Sequence, residues 1–428
     1  MLLNMVALAT VSGVAAGQDV SNPPQADTSA AKASVNTTAG EFTPAKGFMV
    51  FSSPQASLGI SFYGNFRYVS QNGSTTFIDH LGREQTVKLR NDINWHRSMI
   101  WFNGHFWKPN LRYNLTAWSL PTTQQSLVYG NIQYLFNDAV GIGVGMAPNL
   151  TNRSMQGSFP FWAGSDRQMM EESLRGGFSS GAWVAGQPIK KLWYNFSVNT
   201  NLSQLGVTAA NDPRSLAYSL GLQWLPTTGE FGPRGGFGDL EHHEKLATRF
   251  GASMAHVNEG RGAPDDQANN ETQIRLSDGL YAFQIGALGD GITVRSLDYD
   301  VIGLDAGFKY KGFTFQGEYM HRRLSNFDAT APVPVSSIVD KGLQLQVMQM
   351  VVPKLLGVYF TAGRLWDQFE RNPYELSGGA SFYPSRTRSW RLTAHVIQIE
   401  KSPAGSNFGY YVAGQSGTTF SLGTDIIF

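Results

Sequence analysis

The sequence predicts an all-β fold, a transmembrane antiparallel β-barrel of about 16 strands. Three observations predict it. From Leu58 to Phe428, apolar and polar residues alternate with the period of two that an extended strand imposes, so each stretch carries one apolar and one polar face. Charged residues make up only 15% of the chain, against about 25% in soluble domains, which fits strands with one face in lipid. No apolar run of about eighteen residues follows the N-terminus to form a membrane helix. In lipid, the other way to pair every backbone group is a closed barrel.

Composition narrows the function classes. The net charge is +1 and no basic run occurs, so nucleic acid is not expected as a partner. Cysteine is absent, which removes a disulfide framework, thiolate metal sites and a cysteine nucleophile together. No Ser, His and Asp arrangement can be placed, so the chain is not expected to be an enzyme. No cofactor is expected.

The chain divides into three parts. Residues 1–17, with an apolar core and small residues at Val14 to Gly17, read as a secretory signal cleaved near Ala16 to Gln18. Residues 18–46, rich in Ala, Ser, Thr and Pro, read as a flexible periplasmic leader. Residues 47–428 form the barrel. In its first strand Leu58, Ile60, Phe62, Phe66 and Tyr68 oppose Ser61, Tyr63, Asn65 and Arg67. Strands over Ile93–Phe106, Leu111–Leu120, Gln125–Phe136 and Gly141–Ala147 follow. Downstream, Leu192 to Asn199, Leu216 to Trp224, Ile302 to Lys309, Phe313 to Arg322 and Trp390 to Val396 keep the same alternation. The glycines Gly141, Gly143 and Gly145 lack a following helix, so they read as sites of bending or close approach and not as a phosphate cradle.

Connection lengths give a second signal. Lys108–Asn110, Asn137-Asp138, Tyr310–Gly312 and Val352–Lys354 are tight. Gln71–Lys88, Pro148–Leu174, Asn258–Leu297, Ser325–Ile338 and Lys401–Gln415 are long. Short turns at one end and long loops at the other are the rhythm of a membrane barrel. Pro226–Lys245 breaks it, being long where a turn is expected.

The last strand carries Phe420, Leu422, Thr424, Ile426 and Phe428 on one face and Ser421, Gly423, Asp425 and Ile427 on the other. A terminal phenylalanine on such a strand resembles the closing strand of bacterial outer-membrane barrels. There Phe420, Leu422, Ile426 and Phe428 would form the signal read by the barrel assembly machinery. Five segments extend the likeness: KGFMVFSSPQASLGISFYGNFRY at Lys46, MIWFNGHFWKPNLRYNL at Met99, FGDLEHHEKLATRFGASMAH at Phe237, GLDAGFKYKGFTFQGEYMHRR at Gly303 and LSGGASFYPSRTRSWRLTAHVIQIE at Leu376. Together they resemble the phosphate-selective porin O and P family. The long Pro226–Lys245 segment also has a counterpart there. The resemblance implies a sixteen-stranded homotrimeric porin in the outer membrane of a Gram-negative-type bacterium, with outer-membrane lipid around it and the third outer loop folded into the pore.

By the strand count that loop is Pro148–Leu174. It carries Arg153, Phe159, Phe161, Trp162, Asp166, Arg167, Glu171 and Glu172, a mixed-charge constriction with an aromatic group that narrows the pore or packs the loop to the wall. The sequence departs here from phosphate-selective members, which supply lysines in this region. It has no Lys between Phe136 and Pro188, and Met146-Ala147-Pro148 stands where a basic residue precedes Pro in the family. Phosphate selectivity therefore does not carry over on these residues. Arg67, Arg112, Arg249, Lys309, Arg322 and Arg391 fall on polar strand faces with Asp305 and Glu318, and so line the lumen. They form either a cationic track that concentrates anions or a wall whose charges are satisfied by Asp305, Glu318 or Asp425. His242-His243 lacks a zinc spacing and reads as a solvated turn, with no metal expected.

The expected function is passive diffusion of small hydrophilic solutes and ions, anions among them. The alternatives are a structural or adhesive barrel with a closed lumen, acting through outer loops such as the polar Asn258–Leu297 loop with Arg261, Asp265, Asp266 and Arg275, and a soluble secreted β-sandwich lectin.

Overall fold

A computed structural model describes residues 47–121, 125–158, 160–203, 214–232, 234, 236–268, 272–405 and 409–428. The signal and leader expected over residues 1–46, and Phe159, lie outside the described residues.

The regular structure of the described residues is almost entirely antiparallel strand. The elements are β1 (Phe48–Ser52), β2 (Ser57–Gly73), a β3–β4 hairpin (Thr76–Ile78, Glu84–Thr86), β5 (Asn91–Phe106), β6 (Lys108–Leu120), β7 (Gln125–Leu135), β8 (Gly141–Pro148) and a six-residue helix α1 (Met169–Leu174). These are followed by β9 (Phe178–Ile189), β10 (Leu192–Asn199), β11 (Ala217–Trp224), β12 (Ala247–Gly260), β13 (Val294–Tyr310), β14 (Phe313–Ala329), β15 (Ser337–Val352), β16 (Leu356–Asp367), β17 (Tyr374–Phe382), β18 (Trp390–Glu400) and β19 (Gly417–Ile427). The main sheet has 17 strands, of which β1 pairs with the start of β2, and the other 16 form a ring closed by β19 on β2. β1 takes over that edge where β19 stops. Phe428 exchanges backbone hydrogen bonds with Phe62 (2.9 and 3.1 Å), and Phe48 then pairs with Ile60.

Burial follows the alternation read from the sequence. On β13, Ile302 and Leu304 are 48% and 50% exposed, whereas Asp305 and Lys309 are 8% and 0% exposed. In a closed barrel the exposed apolar row faces outward, and the polar row faces in. Outward aromatics gather at both strand ends: Trp95, Tyr218, Trp366, Tyr374 and Phe420 near the long loops, and Phe136, Trp224, Phe250, Phe382 and Phe428 near the short turns. Tyr374 and Phe382 stand about 26 Å apart along β17 at 3.3 Å per residue, or about 20 Å along the axis at a ~40° tilt. This is the order of an apolar membrane band with aromatic girdles.

Turn chemistry matches the ends. Lys311 and Gly312 both have positive φ (47° and 83°), the conformation of a two-residue hairpin whose twist fits its strands. The β5–β6 turn is tighter than expected, at Trp107 alone (φ 63°), with β6 already begun at Lys108. Gly143 is a close-approach glycine, since a Cβ there would fall into the Trp183 indole. The regular alternation fails at one point in β5. Asn65 pairs with Arg97 and Phe66 with Trp95, leaving His96 as the extra residue of a β-bulge. Both His96 and Arg97 are therefore buried inside.

Candidate functional site

The interior is organised by the third connection at the long-loop end, residues 149–177. Its neck is pinched where Asn149 N–H donates to Gly177 O (2.8 Å) and its amide donates to Asn201 O (2.7 Å). A π-turn over Ser154–Ser158 and helix α1 follow. Arg153, Phe161, Trp162, Asp166, Arg167, Glu171 and Glu172 are all buried, although the stretch is polar. The wall supplies the reason. Asp166 sits 3.1 Å from Arg67 and 2.7 Å from Arg97, with His96 at 3.6 Å. Arg391 donates to Trp162 O (2.8 Å), and Glu318 accepts from Arg153 N–H (2.8 Å). Within the loop, Arg167 pairs with Glu171 (3.0 Å) and Arg175 with Glu172 (3.1 Å). Trp162 lies under the Arg167 guanidinium (4.8 Å), and Phe161 lies under Arg388 (5.1 Å).

The lumen-lining residues point inward, but they do not form a free cationic track. Arg249 is 2.7 Å from Asp305, Arg322 is 2.5 Å from Asp340, and Arg391 is 2.6 Å from Asp425. Lys309 donates to the carbonyls of Phe231 (2.8 Å) and Gly236 (2.6 Å). Glu318 accepts from Gln344 (2.8 Å) as well as from the loop. Arg112 stands exposed on the lumen register at the short-turn rim. Opposite charges inside a low-dielectric wall lower the cost of burying each other, so the row is broken into neutralised pairs.

The anomalous segment, residues 225–246, enters from the short-turn end and meets the third loop. Phe237 N–H donates to Phe161 O (2.8 Å), Arg234 donates to Gly157 O (2.9 Å), and the Phe237 ring lies under Arg153 (4.0 Å). Its base is a clamp. His243 bonds Asp239 through Nδ1 and Glu230 through Nε2 (2.7 Å), and Asp239 also accepts from Gly312 N–H (2.8 Å). Burial alone would lower His243, but the bonds to Asp239 and Glu230 outweigh it and push the imidazole up to about 9. His243 is thus no solvated turn residue; two carboxylates justify its burial. Asp239, Glu241 and His243 bring donor atoms within 4.8 Å of one another. Both His243 nitrogens are engaged, however, and Glu241 is held by Arg388 (2.9 Å), so the trio acts as an ion-pair network.

The long-loop end is covered as well. Gly409 O accepts from Arg67 (2.6 Å), and Tyr411 donates to Arg167 O (3.2 Å). The Asn258–Leu297 connection is not simply a displayed polar loop. Arg261, Asp265 and Asp266 do lie at its outer part. Arg275, though, is buried against Tyr281 (3.8 Å), and Ile274, Leu276, Phe283 and Leu288 pack with Met170 and Leu174 of the third loop. A cavity remains between the third loop and strands β15–β18, lined by Trp162, Gln168, Gln346, Thr361, Ser377 and His395 among others.

At the outer surface Phe420, Leu422, Ile426 and Phe428 are exposed together along β19, and Phe428 stacks on Phe62 at 5.3 Å. Sequence reasoning missed Arg97, His96, Asp340 and the wall glutamines. The signal for the last was available, since Gln316, Gln344 and Gln346 share the inward parity of β14 and β15.

No protein-family model and no curated protein matches the chain. Solved structures do. The chain is similar to the outer-membrane expressed OmpT of Vibrio cholerae (9% identity, 89% of this chain and 100% of that one, TM-score 0.53). It is also similar to an anion-selective porin from Comamonas acidovorans (10% identity, 87% and 100%, TM-score 0.51). Salmonella typhi OmpF in complex with daunomycin is a third match (10% identity, 89% and 100%, TM-score 0.50). At this identity the likeness is one of fold, and the fold is that of the outer-membrane porins.

Proposed function

We propose that this chain is an outer-membrane porin of a Gram-negative-type bacterium, passing small hydrophilic solutes and ions down their gradients. The observation that carries the reading is a sixteen-strand wall with an apolar, aromatic-girdled exterior and an inner face of charged and amide side chains. Polar inner faces suit water and solute and add nothing to membrane insertion. The third loop, with Arg153, Phe161, Trp162, Asp166, Arg167, Glu171 and Glu172, narrows the passage from one end, and residues 225–246 narrow it from the other. The long inserted segment and the five quoted motifs support placement with the phosphate-selective O and P family. The neutralised arginines and the lysine-free third loop argue against phosphate selectivity itself. A homotrimer, and recognition of Phe428 by the barrel assembly machinery, complete the reading.

Planar-bilayer recording of the folded, purified protein tests it. Stepwise ohmic currents in potassium chloride are expected, and folded protein with no current would overturn it. That outcome would favour a closed structural barrel, a second reading supported by the apolar packing of residues 274–294 over the third loop.

A further inference from the structure

The interior has two unlike sides. Toward β2, β5 and β13 the third loop is fastened by ion pairs, and toward β12 and β18 by hydrogen bonds from Arg249 and Arg391. Toward β14–β17 it faces a row of amides and hydroxyls set among Glu318 and Arg322 of β14, Asp340 of β15 and Glu375 of β17. Gln316 pairs with Gln346, Gln346 with Thr361 and Thr361 with Ser377, so four neighbouring strands place amides and hydroxyls in one continuous row. All four side chains point inward and are buried. Thr361 and Ser377 hydroxyls bond each other at 2.5 Å. Gln168 of the third loop lines the cavity opposite this row, with His395 beside it.

These groups are not consumed by the fold. Both amide atoms of Gln168 and Nε2 of His395, which line the cavity, are buried without a hydrogen-bond partner, as are both amide atoms of Gln316 and Oε1 of Gln344 in the adjoining wall. Buried polar atoms left so are rare and mark places where a water or ligand completes the bonding. Donors and acceptors are intermixed, which suits hydroxyl groups, each of which donates and accepts at once. The rings of Trp162, Tyr359 and Tyr411 also line the cavity. Its charged members are Asp166, Glu171, Glu375 and Arg167, and Arg167 is already taken by Glu171. A phosphate there would meet more carboxylate than guanidinium.

We infer that the passage between the third loop and the β14–β17 belt is a subsite for neutral polyhydroxylated solutes of the sugar class, and that it disfavours phosphate-like anions. The inference rests on the channel reading and deepens it. The test uses the full folded chain in a planar bilayer, with maltose or inorganic phosphate added at equal concentration. Maltose should interrupt the current in a concentration-dependent way, and phosphate should not. Gln346→Leu and Thr361→Val should each weaken the maltose block about three- to tenfold, the loss of one net hydrogen bond, in channels that still fold and conduct. Gln168→Ala should do the same from the loop side, where the barrel ladder is untouched if a wall variant fails to fold. Block by phosphate but not maltose would overturn the inference, as would a maltose block indifferent to all three substitutions. Should no current flow at all, maltose titrated calorimetrically into protein in a detergent without a sugar head group separates the failures. Heat of binding lost in the variants supports the subsite while the channel reading fails, and absence of heat overturns both.

Discussion

Replacing Asp166 by asparagine keeps the side chain's shape and removes one buried charge. Asp166 is the shared anion of Arg67 (3.1 Å) and Arg97 (2.7 Å), with side-chain exposures of 1%, 0% and 4% respectively. Breaking a buried pair by deleting one partner costs about 3–5 kcal/mol, because the remaining charge is left uncompensated. The other fasteners on this stretch are the neutral bonds of Ser165 to Tyr410 and of Tyr411 to Arg167 O, and Arg391 to Trp162 O, a charge-assisted hydrogen bond of about 1.5–3 kcal/mol. A loss of about 4 kcal/mol shifts the docked-to-undocked ratio of the loop roughly a thousandfold. The barrel is spared, since its closure runs through strand ladders in which Asp166 takes no part. Asp166→Asn is therefore expected to stay heat-resistant on a denaturing gel. In planar bilayers it should give larger, noisier currents and a reversal potential shifted toward anions, as Arg67 and Arg97 become available. Adding Arg67→Ala and Arg97→Ala should undo the anion shift, a non-additivity diagnostic of direct coupling. Unchanged conductance and reversal potential in folded Asp166→Asn would refute the reasoning.

Three further outcomes are expected. The His243 clamp should loosen at alkaline pH. A pKa raised from 6.5 to about 9 gives a contribution fully present below about 6.5 and lost as pH rises through about 9. Current noise should therefore increase between pH 8 and 10, and His243→Ala should show that noise already at pH 7; a flat pH profile in the unsubstituted protein contradicts this. Leu304→Arg, at an outward position, should lower stability in urea by about 2–4 kcal/mol if it sits near the bilayer midplane, and no shift of the unfolding midpoint would place that row elsewhere. Deleting Phe428 removes aromatic contacts worth about 0.5–1.5 kcal/mol each. Refolding into detergent should thus change little while the assembled yield in cells falls several-fold; equal losses in both would make the residue structural only.

The barrel was legible because strand parity is a local signal: Ile302 against Asp305, or Phe420 against Ser421, needs only neighbours in sequence. The bounds of the third loop could be read by counting connections. Its partners were not legible. Asp166 meets Arg67 and Arg97 across 99 and 69 residues of chain, and no periodicity encodes such a meeting. His96 hid behind a bulge, which breaks the very alternation used to assign faces. Residues 225–246 and 274–294 carry no strand period, so their inward course is set by where Phe237, Ile274 and Leu276 find apolar surface, a question only the closed barrel answers.

The absence of cysteine allows the central claim, a wet interior inside a lipid-facing wall, to be tested one residue at a time. Phe360→Cys and Thr361→Cys sit on adjacent positions of β16, the first outward and 49% exposed, the second inward and 2% exposed. In reconstituted channels a water-soluble thiol reagent is expected to reduce the current through Thr361→Cys and to leave Phe360→Cys silent. Current that falls for position 360 and not for 361 would turn the wall inside out and contradict the account.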